Sequence, residues 1–166
     1  MKNIFLVLLL MTACETNAFA QTKATVFSIL VKKEPTVKWN AKSQISGDFD
    51  YDRVIDYALR GRKGKFFVLG IVKGALSGKS KHWTMKFGED AGDQSGLCSV
   101  KSAIITIDDI DKDYVDFASE YLETDYAERL RKVPKNSKGI IISDGNCDAF
   151  HVFWDKKYKL FTWWRL

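Results

Sequence analysis

The sequence contains little proline, cysteine and histidine. Its 166 residues include 2 prolines, 3 cysteines, 2 histidines and 11 glycines. The low proline and glycine content excludes a collagen-like or low-complexity chain. The two histidines lie in separate segments, without a His-x-x-x-His or Cys-x-x-Cys spacing, so we predict no zinc site. We also predict no cofactor. With 46% hydrophobic residues, the composition is that of a globular protein with a core.

Residues 1–20 have the features of a secretory signal peptide. Lys2 supplies a positive charge, and the apolar run Ile4–Met11 is too short for a membrane span, which needs about 20 residues. Small residues then surround a cleavage site after Ala20. We therefore expect residues 21–166 to form a single globular domain that is periplasmic or secreted.

A second interpretation of the leader remains open. Met11-Thr12-Ala13-Cys14 resembles a bacterial lipobox, in which the cysteine is lipidated after removal of residues 1–13. Cys14 would then anchor the protein to a membrane through its acyl chains. Such an envelope lipoprotein could have a structural role, and only in this case do we expect a membrane partner.

Cys98 and Cys147 are the cysteines that remain after the leader. An even pair in an oxidising compartment predicts a disulfide. The alternative is a cysteine nucleophile with His82 or His151 as its base. That alternative requires a reduced thiol, which export disfavours.

The charge balance is basic, with a net charge of +5 and a pI near 9.0. Basic proteins often bind nucleic acid or anionic surfaces. Because an exported protein rarely meets nucleic acid, we expect no nucleic-acid partner and favour wall polymer, anionic lipid or an acidic protein. A solvated lysine-rich surface is the simplest alternative.

Apolar periodicity predicts a helical middle over about residues 48–132, in three main segments. Residues 48–60 begin with closely spaced aspartates, which a helix N-terminus favours. Residues 65–78 carry Gly70, Gly74 and Gly78 at intervals that would line one helix face and allow close packing. Residues 106–122 show a clear apolar stripe, and residues 125–132 could continue that helix after a bend.

The end of the chain has a β-like pattern. Ile140–Ile142 is β-branched, and Asp144-Gly145-Asn146 is a turn signal. The segments Ala149–Trp154 and Tyr158–Leu166 then flank three charged residues, which suits an antiparallel hairpin or three-stranded meander. The predicted fold class is α+β, with a mainly helical fold as the alternative.

Tryptophan and basic residues are concentrated in this tail. Trp and Arg are favoured interface anchors, and lysines can steer an acidic partner. The candidate partner-binding residues are Trp154, Lys156, Lys157, Lys159, Trp163, Trp164 and Arg165. The alternatives are that the rings close the core and that the interface lies in the loop from Glu89 to Gly96.

A calcium-loop spacing occurs at Asp109, Asp111 and Asp113, but Tyr114 stands where such a loop needs glycine. We interpret this segment as the acidic start of a helix. No catalytic constellation is evident, although the many carboxylates leave a cell-envelope hydrolase as an alternative function.

Several short motifs resemble periplasmic immunity proteins of the Tai/Rap type over about residues 50–147. They are Leu69-Gly70-Ile71-Val72-Lys73-Gly74, Thr106-Ile107-Asp108-Asp109 and Tyr121-Leu122-Glu123, together with Cys98 and Cys147. The resemblance implies helices at these motifs and a non-enzymatic function, namely occlusion of a peptidoglycan-degrading toxin. We therefore expect an inhibitor whose protein partner is an exported or injected enzyme.

Overall fold

The computed structural model describes residues 25–90, 96–110, 115–117, 120 and 122–165. The predicted leader and Cys14 lie outside the described residues. Within the described part, 43% of residues are in strands and 19% in helices. The protein is therefore mainly β, and no helix in the described segments is both long and apolar enough to cross a bilayer.

The first sheet is formed by the N-terminal half of the described chain. Its strands are β1 (Lys38–Trp39), β2 (Ile45–Gly47), β3 (Asp56–Lys63), β4 (Phe66–Val72), β5 (His82–Glu89) and β6 (Gly96–Leu97). The order is β1-β3-β4-β5-β6, and β2 also pairs with β3. All pairings are antiparallel except β5 with β6. Gly64, with a φ of 59°, supplies the tight turn between β3 and β4.

The second sheet is formed by the C-terminal half. Its strands are β7 (Ile104–Ile110), β8 (Ser137–Ser143), β9 (Phe150–Asp155) and β10 (Leu160–Trp164), in the antiparallel order β10-β9-β8-β7. Helix α1, at residues 25–33, precedes the first sheet, and helix α2 (Thr124–Arg131) lies between β7 and β8.

The two sheets pack face to face around the main core. Phe67 and Phe87 of the first sheet meet Phe150 and Phe161 of the second in one buried cluster. The outer face of the first sheet is covered by α1, and that of the second by α2. Because both faces of the first sheet are covered, its central strand β4 has an almost continuously apolar sequence.

The predicted helical middle is wrong. Residues 48–55 are bends that lead into β3, and most of residues 65–78 forms β4 and the turn after it. Of the predicted helix at residues 106–122, the first part belongs to β7, whereas residues 115–117 and 120 are helical. Strand β4 is buried on both faces, and periodicity alone cannot distinguish such a strand from a buried helix. Helix α2 matches the predicted helix at residues 125–132.

The glycines at four-residue intervals do not line a helix face. Gly70 lies in β4, where an added Cβ would come within 2.5 Å of the Trp39 ring. Gly74 follows β4 and lies against the backbone of Ile55, whereas an added Cβ at Gly78 would meet nothing within 4 Å. Gly70 and Gly74 are therefore closely packed, but against a tryptophan ring and a loop, not against a neighbouring helix.

The tail strands pair as an antiparallel meander of β8, β9 and β10. This meander is not an appendage to a helical body, because β8 also pairs with β7 along seven registered positions. Long-range pairing with β7 was not predicted. Through this pairing the tail belongs to the second sheet, and its strands contribute residues to the main core.

A disulfide between Cys98 and Cys147 confirms the predicted pairing, with the Cα atoms 5.9 Å apart. It joins the segment after β6 to the connection between β8 and β9. The Asp144 carboxylate reinforces this junction by accepting backbone N–H groups of Ser99 at 2.9 Å and Cys147 at 3.1 Å. Burial would raise the Asp144 pKa, but these and other backbone donors hold it below its ordinary value of 3.8.

Candidate functional site

The connection between β9 and β10, which we call the basic turn, comprises residues 156–159. Asp155 fixes its shape: the carboxylate, on a residue that is only 3% exposed, accepts the backbone N–H groups of Lys157 at 2.8 Å and Tyr158 at 3.2 Å. Arg129 of α2 forms an ion pair with the same carboxylate at 3.2 Å. The backbone N–H of Lys159 also donates to the Asp155 carbonyl at 2.8 Å. The turn is therefore held in one shape.

Large apolar side chains are exposed on and beside the basic turn. Tyr158 is 53% exposed, and Leu160 is 42% exposed. Lys156, Lys157 and Lys159 are exposed around them. The Arg129 guanidinium lies 5.0 Å from the Tyr158 ring, which orients that ring.

The predicted tail residues do not form one surface. Trp154 and Trp163 are partly buried against the main core, and Trp164 is 4% exposed and stacks on His151. Arg165 donates a hydrogen bond to the Gly96 carbonyl at 2.6 Å and lies over the Phe150 ring. Within the predicted set, the lysines of the basic turn are the exposed members. Of the predicted partner-binding residues, the candidates that remain on the exposed surface are therefore Lys156, Lys157 and Lys159 of the basic turn.

Two of these lysines have neighbours on other elements. Lys157 forms an ion pair with Asp125 at 3.2 Å, and this contact raises the Lys157 pKa. The Lys156 ammonium lies 5.7 Å from the centre of the Tyr51 ring. A basic cleft of about 140 Å³ lies beside the turn, with Arg129 and Lys132 on its wall.

Tyr51 belongs to the second feature of this region, which we call the acidic loop and define as residues 48–56. The loop precedes β3 and is built on its own carboxylates. Asp48 accepts the backbone N–H groups of Asp52 at 3.0 Å and Arg53 at 2.8 Å. Asp56, the first residue of β3, accepts the backbone N–H groups of residues 49, 50 and 74.

The acidic loop contains four aspartates and one cation, Arg53, so it carries a net negative charge. Lys73, which follows β4, forms ion pairs with Asp50 at 2.7 Å and Asp52 at 2.6 Å. Asp50 and Asp56 are both buried. Burial first, and then the charge of Asp50, raises the Asp56 pKa to about 6. The hydrogen bond from Lys73 lowers the pKa of Asp52.

The acidic loop was not predicted from the sequence. Asp48, Asp50 and Asp52 were interpreted as acids at a helix N-terminus, and the calcium spacing was recognised at Asp109, Asp111 and Asp113 instead. That second segment falls partly on residues outside the described ranges. The alternation of aspartates from residue 48 to residue 52 is the signal that would have identified the loop.

The histidines do not support the cysteine-nucleophile alternative. Both candidate thiols are joined in the disulfide. The Nδ1 atom of His151 lies 2.9 Å from an Asp108 carboxylate oxygen, and His82 lies 3.8 Å from Glu34. In the alternative interface from Glu89 to Gly96, residues 91–95 lie outside the described part of the chain.

The sequence matches no protein-family model, no curated protein and no solved structure. Two of the three motifs behind the resemblance to immunity proteins lie on strands: Leu69–Val72 is in β4, and residues 106–109 are in β7. These two segments do not form the helices that the resemblance implies.

Proposed function

We propose that this chain is an exported, non-enzymatic protein that binds an acidic surface of a protein partner through the basic turn. The observation that carries the proposal is the exposure of Tyr158 and Leu160 among Lys156, Lys157 and Lys159. Tyrosine is a favoured interface anchor, and lysines around it would attract a negatively charged partner.

The rigidity of the turn supports this function. Binding costs less free energy when the contact residues are already fixed. Asp155 and Arg129 hold the backbone and the Tyr158 ring before any partner arrives. The neighbouring rings of Trp154 and Phe161 pack at 5.0 Å and anchor both strands of the hairpin in the core.

Inhibition of a peptidoglycan-degrading toxin is the particular form of this function that we favour. The support is the resemblance in short sequence motifs. An inhibitor of this kind acts by covering its target, so it requires a contact surface and no chemistry of its own. The basic turn would supply that surface.

Co-purification from periplasmic extract tests the proposal. The bait is the chain from residue 21 onward, either unchanged or as Lys156→Glu with Lys157→Glu. The matched control is Lys32→Glu with Lys33→Glu, which makes the same charge change on exposed residues of α1. Native mass spectrometry should show a stoichiometric protein complex with the unchanged bait and the control, and its loss with the turn variant.

Two results would overturn the proposal. Equal complex formation by the turn variant and the control would place the interface elsewhere. Release of soluble fragments from purified peptidoglycan by the protein alone would make it a hydrolase.

A further inference from the structure

We propose that the acidic loop binds one calcium ion through the carboxylates of Asp48, Asp50 and Asp56. One oxygen from each of these residues lies within 4.8 Å of the others. Calcium–oxygen distances are 2.3–2.6 Å, so two ligands of one ion lie at most about 5 Å apart. The carboxylates are therefore close enough to share a single ion.

A buried oxygen of Asp50 provides independent support for a cation. The Asp50 side chain is only 5% exposed. Its Oδ2 atom meets Lys73, but its Oδ1 atom is buried and has no hydrogen-bond partner among the described residues. An ionised oxygen in this position is costly unless a donor or a cation meets it. A calcium ion at the carboxylate cluster would satisfy it.

The order of residues in the loop agrees with calcium coordination. In a twelve-residue calcium loop, side chains at positions one, three, five and nine and the backbone carbonyl at position seven face the ion. Counting from Asp48, the four side-chain positions are all aspartate, Asp48, Asp50, Asp52 and Asp56, and position seven is Val54.

Position six of such a loop is ordinarily glycine, because the chain turns sharply there. In this chain it is Arg53, which adopts a φ of 69° and so makes the left-handed turn without glycine. Position twelve, ordinarily a bidentate glutamate, is Leu59 in β3. With that ligand missing, we expect a dissociation constant on the order of 10⁻⁴ to 10⁻³ M, as in extracellular calcium modules.

Lys73 is the competitor within the site. Its ammonium forms ion pairs with both Asp50 and Asp52, and Asp50 would have to exchange this partner for the ion. Removing the ammonium should therefore strengthen calcium binding. An increase in calcium affinity on removal of Lys73 would show that the carboxylates bind a metal ion. If Lys73 is instead the permanent counter-ion of the cluster, its removal should not produce calcium binding.

Isothermal titration calorimetry with calcium chloride tests the inference on the purified chain from residue 21 onward. The unchanged protein should bind one calcium ion per chain, and magnesium should bind more weakly because it demands stricter geometry. Asp50→Asn should weaken binding by at least about tenfold, since it removes a charged ligand. Lys73→Met should strengthen binding several-fold.

The matched control is Asp148→Asn, which makes the same chemical change at an exposed residue outside the loop. It should leave the calcium affinity unchanged. Circular dichroism of every variant establishes that it is folded. Binding of no calcium by the unchanged protein at about ten times the expected dissociation constant would overturn the inference. Equal loss of affinity in Asp50→Asn and Asp148→Asn would also overturn it, because it would show diffuse attraction of cations.

Discussion

The acidic loop and the basic turn are built with the same device but differ in charge balance. In each, one buried aspartate accepts two backbone N–H groups from its own connection: Asp56 in the loop and Asp155 in the turn. Asp155 also has a cationic partner in Arg129. Asp56 instead lies beside Asp48 and Asp50. An aspartate whose charge is paired holds the backbone of its connection in one conformation. Clustered aspartates that outnumber their cations favour the binding of a further cation.

Loss of the disulfide should have the largest effect on stability, because the bond cross-links the half of the chain that carries the acidic loop to the half that carries the basic turn. The bond closes a separation of 49 residues. Replacing both Cys98 and Cys147 by alanine should lower the free energy of unfolding by about 4 kcal/mol. Urea unfolding followed by tryptophan fluorescence measures this. A change below about 1 kcal/mol would show that the two sheets hold together without the link.

Asp155→Asn removes the charge of the buried aspartate that shapes the basic turn and pairs with Arg129. It leaves the largely buried Arg129 guanidinium with the exposed Asp125 carboxylate as its remaining ion-pair partner among the described residues, which should lower the free energy of unfolding by about 3 kcal/mol. The matched control is Asp125→Asn, because Asp125 pairs with the same arginine at 3.2 Å but is exposed. Exposed pairs contribute about 0–1 kcal/mol. Thermal unfolding should show a clearly larger loss of stability in Asp155→Asn than in Asp125→Asn. Equal losses of stability would show that the burial of Asp155 does not strengthen its ion pair with Arg129.

Gly74→Ala tests the support of the acidic loop. The added methyl group would clash with the Ile55 carbonyl and the Val54 side chain. We expect a loss of about 1–3 kcal/mol in the free energy of unfolding, together with weaker calcium binding. Gly78→Ala is the control, because its methyl group would meet nothing within 4 Å. If both variants unfold alike, the loop does not rest on Gly74.

Asp144 provides a third case for comparison, in the connection between β8 and β9. Its carboxylate accepts hydrogen bonds from backbone N–H groups. Its pKa is lowered in the folded protein, so its contribution to stability is present above the unfolded value of 3.8 and is lost as the pH falls below it. Asp144→Asn should lower the free energy of unfolding by about 1–2 kcal/mol at neutral pH. The difference from the unchanged protein should shrink below pH 3.8. A difference independent of pH would contradict this assignment.

The sequence predicted features that depend on local chemistry. The turn at Asp144-Gly145-Asn146 and the meander in the tail have local signals, and the structure contains them. The disulfide was predicted from the even number of cysteines after the leader, and the structure contains it as well. Helix α2 also follows a local apolar pattern that ends before Pro134.

The helical middle failed because tertiary burial removed the strand signal. In β4, all residues from Phe67 to Val72 are buried, so the alternation that identifies a strand is absent. In residues 48–60, the apolar stripe included Val54 and Ile55, which are exposed in the acidic loop. The aspartates of this loop were assigned to a helix dipole, although their alternate spacing also fits metal coordination. The spacing alone does not distinguish a helix N-terminus from a metal-binding loop, because the difference depends on the backbone conformation of the segment.

Thermal unfolding with and without calcium tests the central claim most directly. A ligand that binds only the folded state stabilises it in proportion to the logarithm of its concentration over the dissociation constant. The melting temperature of the unchanged protein should therefore rise with calcium concentration, and that of Asp50→Asn should rise much less. Asp155→Asn should keep the full calcium response from a lower starting temperature. A melting temperature unaffected by calcium in the unchanged protein would contradict the account.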